Sequence, residues 1–130
     1  KKHPYPETVD VLEYFKNKGY KMGVISDSPP SLEMTLLNCG LHGYFTSFTA
    51  SSLVGAGKPD SVIFKAALEA QGVPAEESLY VDDYLPEADG ARALGFTSFL
   101  IDRNENQPDS QWVIRNLREL VNFVERKGRR

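Results

Sequence analysis

The sequence predicts an α/β fold, a parallel sheet with helices on both faces and therefore three layers. Three observations predict it. Short apolar runs alternate along the chain with stretches of roughly 10 to 15 residues at helical spacing, the signature of strand–helix–strand crossovers. Polar and acidic residues gather where the apolar runs end, which is the ligand-binding rim of such sheets. The chain has 130 residues, 41% hydrophobic and 25% charged, a composition that suits one domain with one core. No repeat or linker divides it.

The elements follow in order. Residues 7–18 carry Val9, Leu12 and Phe15 at helical spacing, and Gly19 stops that helix. Residues 21–26, with Met22, Val24 and Ile25, form an apolar run of the kind buried as a strand. Ser28, Pro29 and Pro30 then start a helix whose Leu32, Leu36 and Cys39 share a face, with Gly40 as its stop. Residues 45–51 are rich in Phe and Thr and predict a second strand. The loop Gly55-Ala56-Gly57 leads to Lys58 and to a helix over 59–71 with Ile63, Ala67 and Ala70 inward. Residues 78–81 predict a third strand ending in Asp82 and Asp83. A helix over 86–94 turns Ala88, Ala91 and Leu94 to one side, and residues 97–101 predict a fourth strand. After a turn-rich stretch at 102–109, a last helix is expected to carry Trp112, Val113, Leu117, Leu120 and Val124.

Composition excludes several function classes. No apolar run approaches the ~20 residues of a membrane span, and no basic start followed by an apolar stretch marks a signal peptide. The single cysteine, Cys39, rules out a disulfide framework within the chain and favours a reducing compartment, so a cytoplasmic location is expected. With His3 and His42 as the histidines, a usual structural zinc site cannot be assembled, and an oxygen-ligated ion is expected instead. Net charge is −3, but residues 3–125 hold 9 Lys and Arg against 18 Asp and Glu. That balance argues against a nucleic-acid surface. The basic tail 126–130 suits a solvated helix end, where cations meet the negative pole of the helix.

The rim residues are Ser26 and Asp27, Ser51 and Ser52, Lys58, Asp82 with Asp83, and Asp102 with Arg103. Two adjacent carboxylates repel unless something neutralises them. A Mg²⁺ ion is one solution; a second is that one carboxylate faces solvent and the other caps the next helix. The Ser26 hydroxyl, near the amides that open a helix, is a phosphate-binding arrangement or a plain turn. Lys58 is a point charge suited to phosphate or an ordinary surface lysine. Gly57-Lys58 is no P-loop, since Pro59 stands where Ser or Thr is needed. Cys39, without an evident base, is a packing residue.

In combination these segments resemble the haloacid dehalogenase-like (HAD) hydrolases. The resemblance rests on Gly-Val-Ile-Ser-Asp-Ser at 23–28, Gly-Lys-Pro-Asp at 57–60, Val-Asp-Asp at 81–83 and Gly-Ala-Arg-Ala-Leu-Gly at 90–95. The opening run from Tyr5 to Phe15 is similar to the segment that re-enters that family's core after its cap. The resemblance implies that Ser26 and Asp27 contact a phosphoryl group and that Lys58 balances charge on nucleophile and phosphate. It implies that Asp82 and Asp83 hold Mg²⁺; another register makes Asp82 the main ligand with Glu87 behind it. The substrate class implied is small phosphate esters, and the function a Mg²⁺-dependent phosphatase-like hydrolase. A non-catalytic phosphate-binding or interaction module of the same fold is the alternative. A response-regulator receiver is excluded by order, because receivers place the acidic pair first and the lysine last.

One part of the family pattern is missing. No Asp-x-Asp occurs in the 130 residues, and in the family that motif supplies the nucleophile and the general acid/base. The sequence is therefore expected to be an incomplete single core domain over 1–130, inactive alone, with no residue to assign as nucleophile. The strand that bears Asp-x-Asp is central in the family, between those that carry Ser26 and Asp82. Its loss predicts one of two outcomes. Either the two remaining halves pair directly, or a homo-oligomer or strand-donating partner chain fills the gap.

Overall fold

The computed structural model describes residues 6–26, 41–58 and 60–128. The elements are α1 (Pro6–Asn17), β1 (Gly23–Ser26), a 3₁₀ turn (His42–Tyr44), β2 (Ser47–Ala50), a one-turn helix α2 (Ser51–Val54) and α3 (Ser61–Gln71). A second 3₁₀ turn (Ala75–Glu77) leads to β3 (Leu79–Asp82), α4 (Leu85–Ala93), β4 (Thr97–Ile101), β5 (Val113–Ile114) and α5 (Arg118–Gly128). Every strand pairing is parallel, and none of these helices is long and apolar enough to cross a membrane.

Local chemistry sets the boundaries. Asp60 opens α3 by accepting the Val62 amide at 2.9 Å, and Gly72, at φ 71°, closes it. The expected helix over 59–71 thus starts two residues later. The strand expected over 45–51 shortens because Ser51 already begins α2. Ala70 is exposed where it was expected inward, and Val9 is 41% exposed. Phe15 is buried as expected and Val11, rather than Val9, is the other buried apolar residue of α1, so the apolar stripe of that helix runs through 11, 14 and 15. Val113 belongs to the edge strand β5, Trp112 to the turn before it and Leu117 to the turn before α5, so none of the three lies in the last helix, which starts at Arg118. A strand of two residues is too short to show a period of two. The helix expected to hold Leu32, Leu36 and Cys39 lies outside the described residues.

Alternation along β3 builds the three layers. Leu79 and Val81 join Phe99 of β4, Val11 and Phe15 of α1, and Leu120 of α5 in one apolar cluster. Tyr80 faces the opposite way, toward Ile63 and Phe64 of α3, Ala91 of α4, and Phe96. The rings of Phe64, Tyr80 and Phe96 meet pairwise at 5.3 to 5.8 Å. Fully buried Ser98 donates to the Ala88 carbonyl at 2.7 Å and fastens β4 to α4.

The strands form two sheets, β1-β2 and β3-β4-β5. Direct pairing of the two halves, one of the expected outcomes, is therefore not what the described residues do. Helix layers hold the halves together: Met22 beside β1 packs into the first cluster and Ile25 into the second. The outer edges of β1 and β3 pair with no other described strand.

Candidate functional site

Lys58 reaches the carboxyl end of β3 because a turn bends the chain just before α3, with the Asp60 amide bonded to the Gly57 carbonyl at 2.9 Å. Its ammonium lies 2.9 Å from Asp82 Oδ2 and 2.9 Å from Glu87 Oε1. All three side chains are largely buried, at 12%, 6% and 14% exposure. Asp82 closes β3, and Glu87 comes from the first turn of α4, one turn above it. Asp82 has two further donors. The Tyr80 hydroxyl meets Oδ2 at 2.5 Å and the Tyr84 amide meets Oδ1 at 3.1 Å.

The electrostatics divide the two carboxyls. Burial pushes Asp82 up, but the Tyr80 hydroxyl and the Lys58 ammonium outweigh it, and its pKa falls below the ordinary value. Burial pushes Glu87 up, Lys58 draws it down, and the neighbouring Asp82 pushes it up again, leaving it raised. Burial disfavours the Lys58 cation, but its bonds to Glu87 and Asp82 prevail and its pKa is raised. One cation facing two carboxyls leaves net negative charge when both ionise.

The other rim residues divide as well. Ser26 is the last residue of β1, half-buried, in register with Ala50 of β2. Asp27 lies outside the described residues. Asp83 is exposed and lines a separate cleft of about 250 Å³ with Tyr84, Pro86 and Asn106. The acidic pair that converges on Lys58 is thus Asp82 with Glu87, while the adjacent Asp83 turns to solvent because successive residues at a strand end point to opposite sides. Tyr80 was missed in the sequence. The signal for it was its spacing of two from Asp82, which puts both side chains on the same face of β3.

Just past the neighbouring strand, Asp102 organises the loop after β4. It accepts the amides of Asn106 at 3.1 Å and Gln107 at 2.7 Å and pairs with Arg115 at 2.5 Å. The Gln107 amide foremost holds its carboxyl below the ordinary value. Glu7 of α1 ties the same loop to α5, pairing with Arg103 at 2.7 Å and accepting the Leu117 amide at 3.4 Å. These contacts are structural and keep the rim in place.

Mg²⁺ takes hard oxygen ligands, commonly one or two carboxylates completed by water and substrate oxygens. Asp82 and Glu87 are two such carboxylates with surplus negative charge, so the residues fit that ion. Among the described residues there is no cluster of three or more His, Cys, Asp or Glu that would form an all-protein cage.

Comparison with known proteins identifies the family. The sequence profile of the haloacid dehalogenase-like hydrolases matches residues 1–95. The chain is 32% identical over 126 residues to Phosphatase MT3486 of Mycobacterium tuberculosis, covering 95% of this chain and 57% of the relative. It is 34% identical over 128 residues to the glyceraldehyde 3-phosphate phosphatase of Methanocaldococcus jannaschii, covering 93% and 56%. Further relatives are (S)-2-haloacid dehalogenases. The structure superposes on the crystal structure of a HAD phosphatase from Thermococcus onnurineus with a TM-score of 0.87 at 32% identity, covering 92% of this chain and 57% of that one. The chain thus spans a little over half the length of the proteins it matches. A parallel α/β core with the lysine and acidic motifs in family order, matched over most of the chain by both sequence and fold, places it among the haloacid dehalogenase-like hydrolases.

Proposed function

We propose that the chain carries the phosphate-binding and cation-binding half of a Mg²⁺-dependent hydrolase of small phosphate esters. The observation that carries this reading is Lys58 shared between Asp82 and Glu87 at the carboxyl rim of parallel strands. Surplus carboxylate beside a lysine suits a cation together with an anionic substrate, which favours phosphate esters over haloacids, whose carbon–halogen bond gives a metal ion little to hold. In this reading Ser26 donates its hydroxyl to a phosphoryl oxygen from the end of β1, and Lys58 offsets the charge that gathers on that group. Asp82 and Glu87 would hold the Mg²⁺, which when bound neutralises phosphoryl oxygens.

Covalent transfer needs a nucleophile, and the 130 residues hold no Asp-x-Asp. That β1 and β3 fall in separate sheets among the described residues supports a strand seated between them, from another segment or a partner chain, that brings an aspartate to the rim between Ser26 and Asp82. The 130-residue chain is expected to bind inorganic phosphate in the presence of Mg²⁺ but to hydrolyse an aryl phosphate near background. Calorimetry should show phosphate affinity falling about tenfold in both Ser26→Ala and Lys58→Met, the loss of one hydrogen bond to a charged group. Robust turnover by this chain, abolished in Asp27→Asn, would contradict the reading and make Asp27 the nucleophile.

A further inference from the structure

We propose that the cleft beyond the end of β3 receives the alcohol portion of the phosphate ester and selects an uncharged polyol, with Tyr84, Asn106 and Gln107 as the residues that read it. The inference rests on the rim binding a phosphoryl group. The cleft has a volume of about 250 Å³. Tyr84, Leu85 and Pro86, where the chain enters α4, line it together with Asn106 and Gln107 of the loop after β4. It adjoins the charged cluster, because the Tyr84 amide donates to Asp82 Oδ1 at 3.1 Å.

Both walls are held in place. Large apolar side chains that stand exposed together mark a binding surface. Tyr84 is 57% exposed and Leu85 41%, and exposed Pro86 follows them. The backbone beneath the Tyr84 ring is fixed, since its carbonyl accepts the amides of Glu87 and Ala88 at 3.1 Å each. Buried charge holds the other wall. Asp102, 8% exposed, accepts the amides of Asn106 and Gln107 at 3.1 and 2.7 Å. Arg115 donates to the Gln107 carbonyl at 2.8 Å. These bonds engage the backbone of 106 and 107 and leave their side-chain amides out. A loop fixed through its backbone holds those amides in a set relation to the Tyr84 ring.

The lining defines the class of occupant. A side-chain amide both donates and accepts, and so matches a hydroxyl. An aromatic face covers the C–H face of a ring that carries hydroxyls at its edge. Aspartates and no lysine or arginine are among the lining residues, so a carboxylate or second phosphate on the alcohol meets no counter-ion. The volume is below the roughly 300 Å³ at which pockets for drug-sized ligands begin, which limits the occupant to a single sugar-sized group.

Calorimetry in Mg²⁺-containing buffer tests this with inorganic phosphate, glucose 1-phosphate and glucuronic acid 1-phosphate. The two esters differ only by a hydroxymethyl group against a carboxylate. Wild type is expected to bind glucose 1-phosphate about tenfold more tightly than inorganic phosphate, the scale of one or two added hydrogen bonds, and glucuronic acid 1-phosphate no more tightly than phosphate. Tyr84→Ser and Asn106→Ala, both at exposed positions, should each lower the ratio of glucose 1-phosphate to phosphate affinity about fivefold. Phosphate binding with no preference for glucose 1-phosphate, with equal affinity for the two esters, or with a ratio that neither variant changes overturns the polyol subsite and leaves the phosphate-binding rim standing. Absence of binding by all three probes in wild type overturns that rim and the subsite with it.

Discussion

Lys58→Met is expected to destabilise the protein by about 3 kcal/mol in Mg²⁺-free buffer at neutral pH, the usual scale for removing one partner of a buried ion pair. The reason is what remains. Asp82 and Glu87 are 6% and 14% exposed and would face each other without the cation that now lies 2.9 Å from each. Two buried like charges push the pKa of at least one upward. A carboxyl whose folded pKa exceeds its unfolded value contributes stability below the unfolded value and loses it as pH rises through the folded one. The variant should therefore recover relative to wild type on acidification. Wild-type Asp82 runs the other way. Its pKa is depressed, so its contribution is present above the unfolded value of 3.8 and lost as pH falls through the folded one. Denaturant midpoints at neutral and acid pH, with and without Mg²⁺, read both effects. Mg²⁺ should restore part of the loss at neutral pH by replacing the missing positive charge.

Phe64→Ala is expected to cost about 3–5 kcal/mol, the range for deleting a buried aromatic ring. Phe64 has no exposed surface and sits between Ile63, Tyr80 and Phe96. The cavity would open beneath the candidate site, because the Tyr80 ring that leans on Phe64 carries the hydroxyl bonded to Asp82. Chemical denaturation measures the stability loss. An effect below about 1 kcal/mol would show that the cluster collapses onto the space, contrary to close packing.

How much of this was legible in the sequence depends on the range of the interactions involved. Alternating apolar runs and helical spacing made the parallel α/β class and the positions of β1, β3 and β4 readable, since each is a local pattern. Lys58 and Asp82 were readable as rim residues because strand ends in such folds define the site. The sequence left Asp83 and Glu87 both open as the companion of Asp82, because no local pattern tells which side chain at the strand end faces the lysine. The geometry brings Glu87 to Lys58 and leaves Asp83 in solvent. Tyr80 escaped notice because an aromatic residue in an apolar run reads as core, which it also is. The edge strand Val113–Ile114 escaped because two residues carry no period. Its place is fixed by distant bonds, the Leu100 amide to the Trp112 carbonyl at 2.9 Å and the Asp102 amide to the Ile114 carbonyl at 2.8 Å. Nor did local pattern reveal that β1-β2 and β3-β4-β5 form separate sheets, since sheet continuity is a property of partners rather than of any one run.

The central claim is that Asp82 and Glu87, gathered by Lys58, form a Mg²⁺ site on the rim. Titration of Mg²⁺ into wild type, Asp82→Asn, Glu87→Gln and Asp83→Asn, followed by calorimetry, tests it most directly. The account predicts saturable binding in wild type, its loss in Asp82→Asn, a marked weakening in Glu87→Gln, and little change in Asp83→Asn. Binding that survives Asp82→Asn but disappears in Asp83→Asn would contradict it.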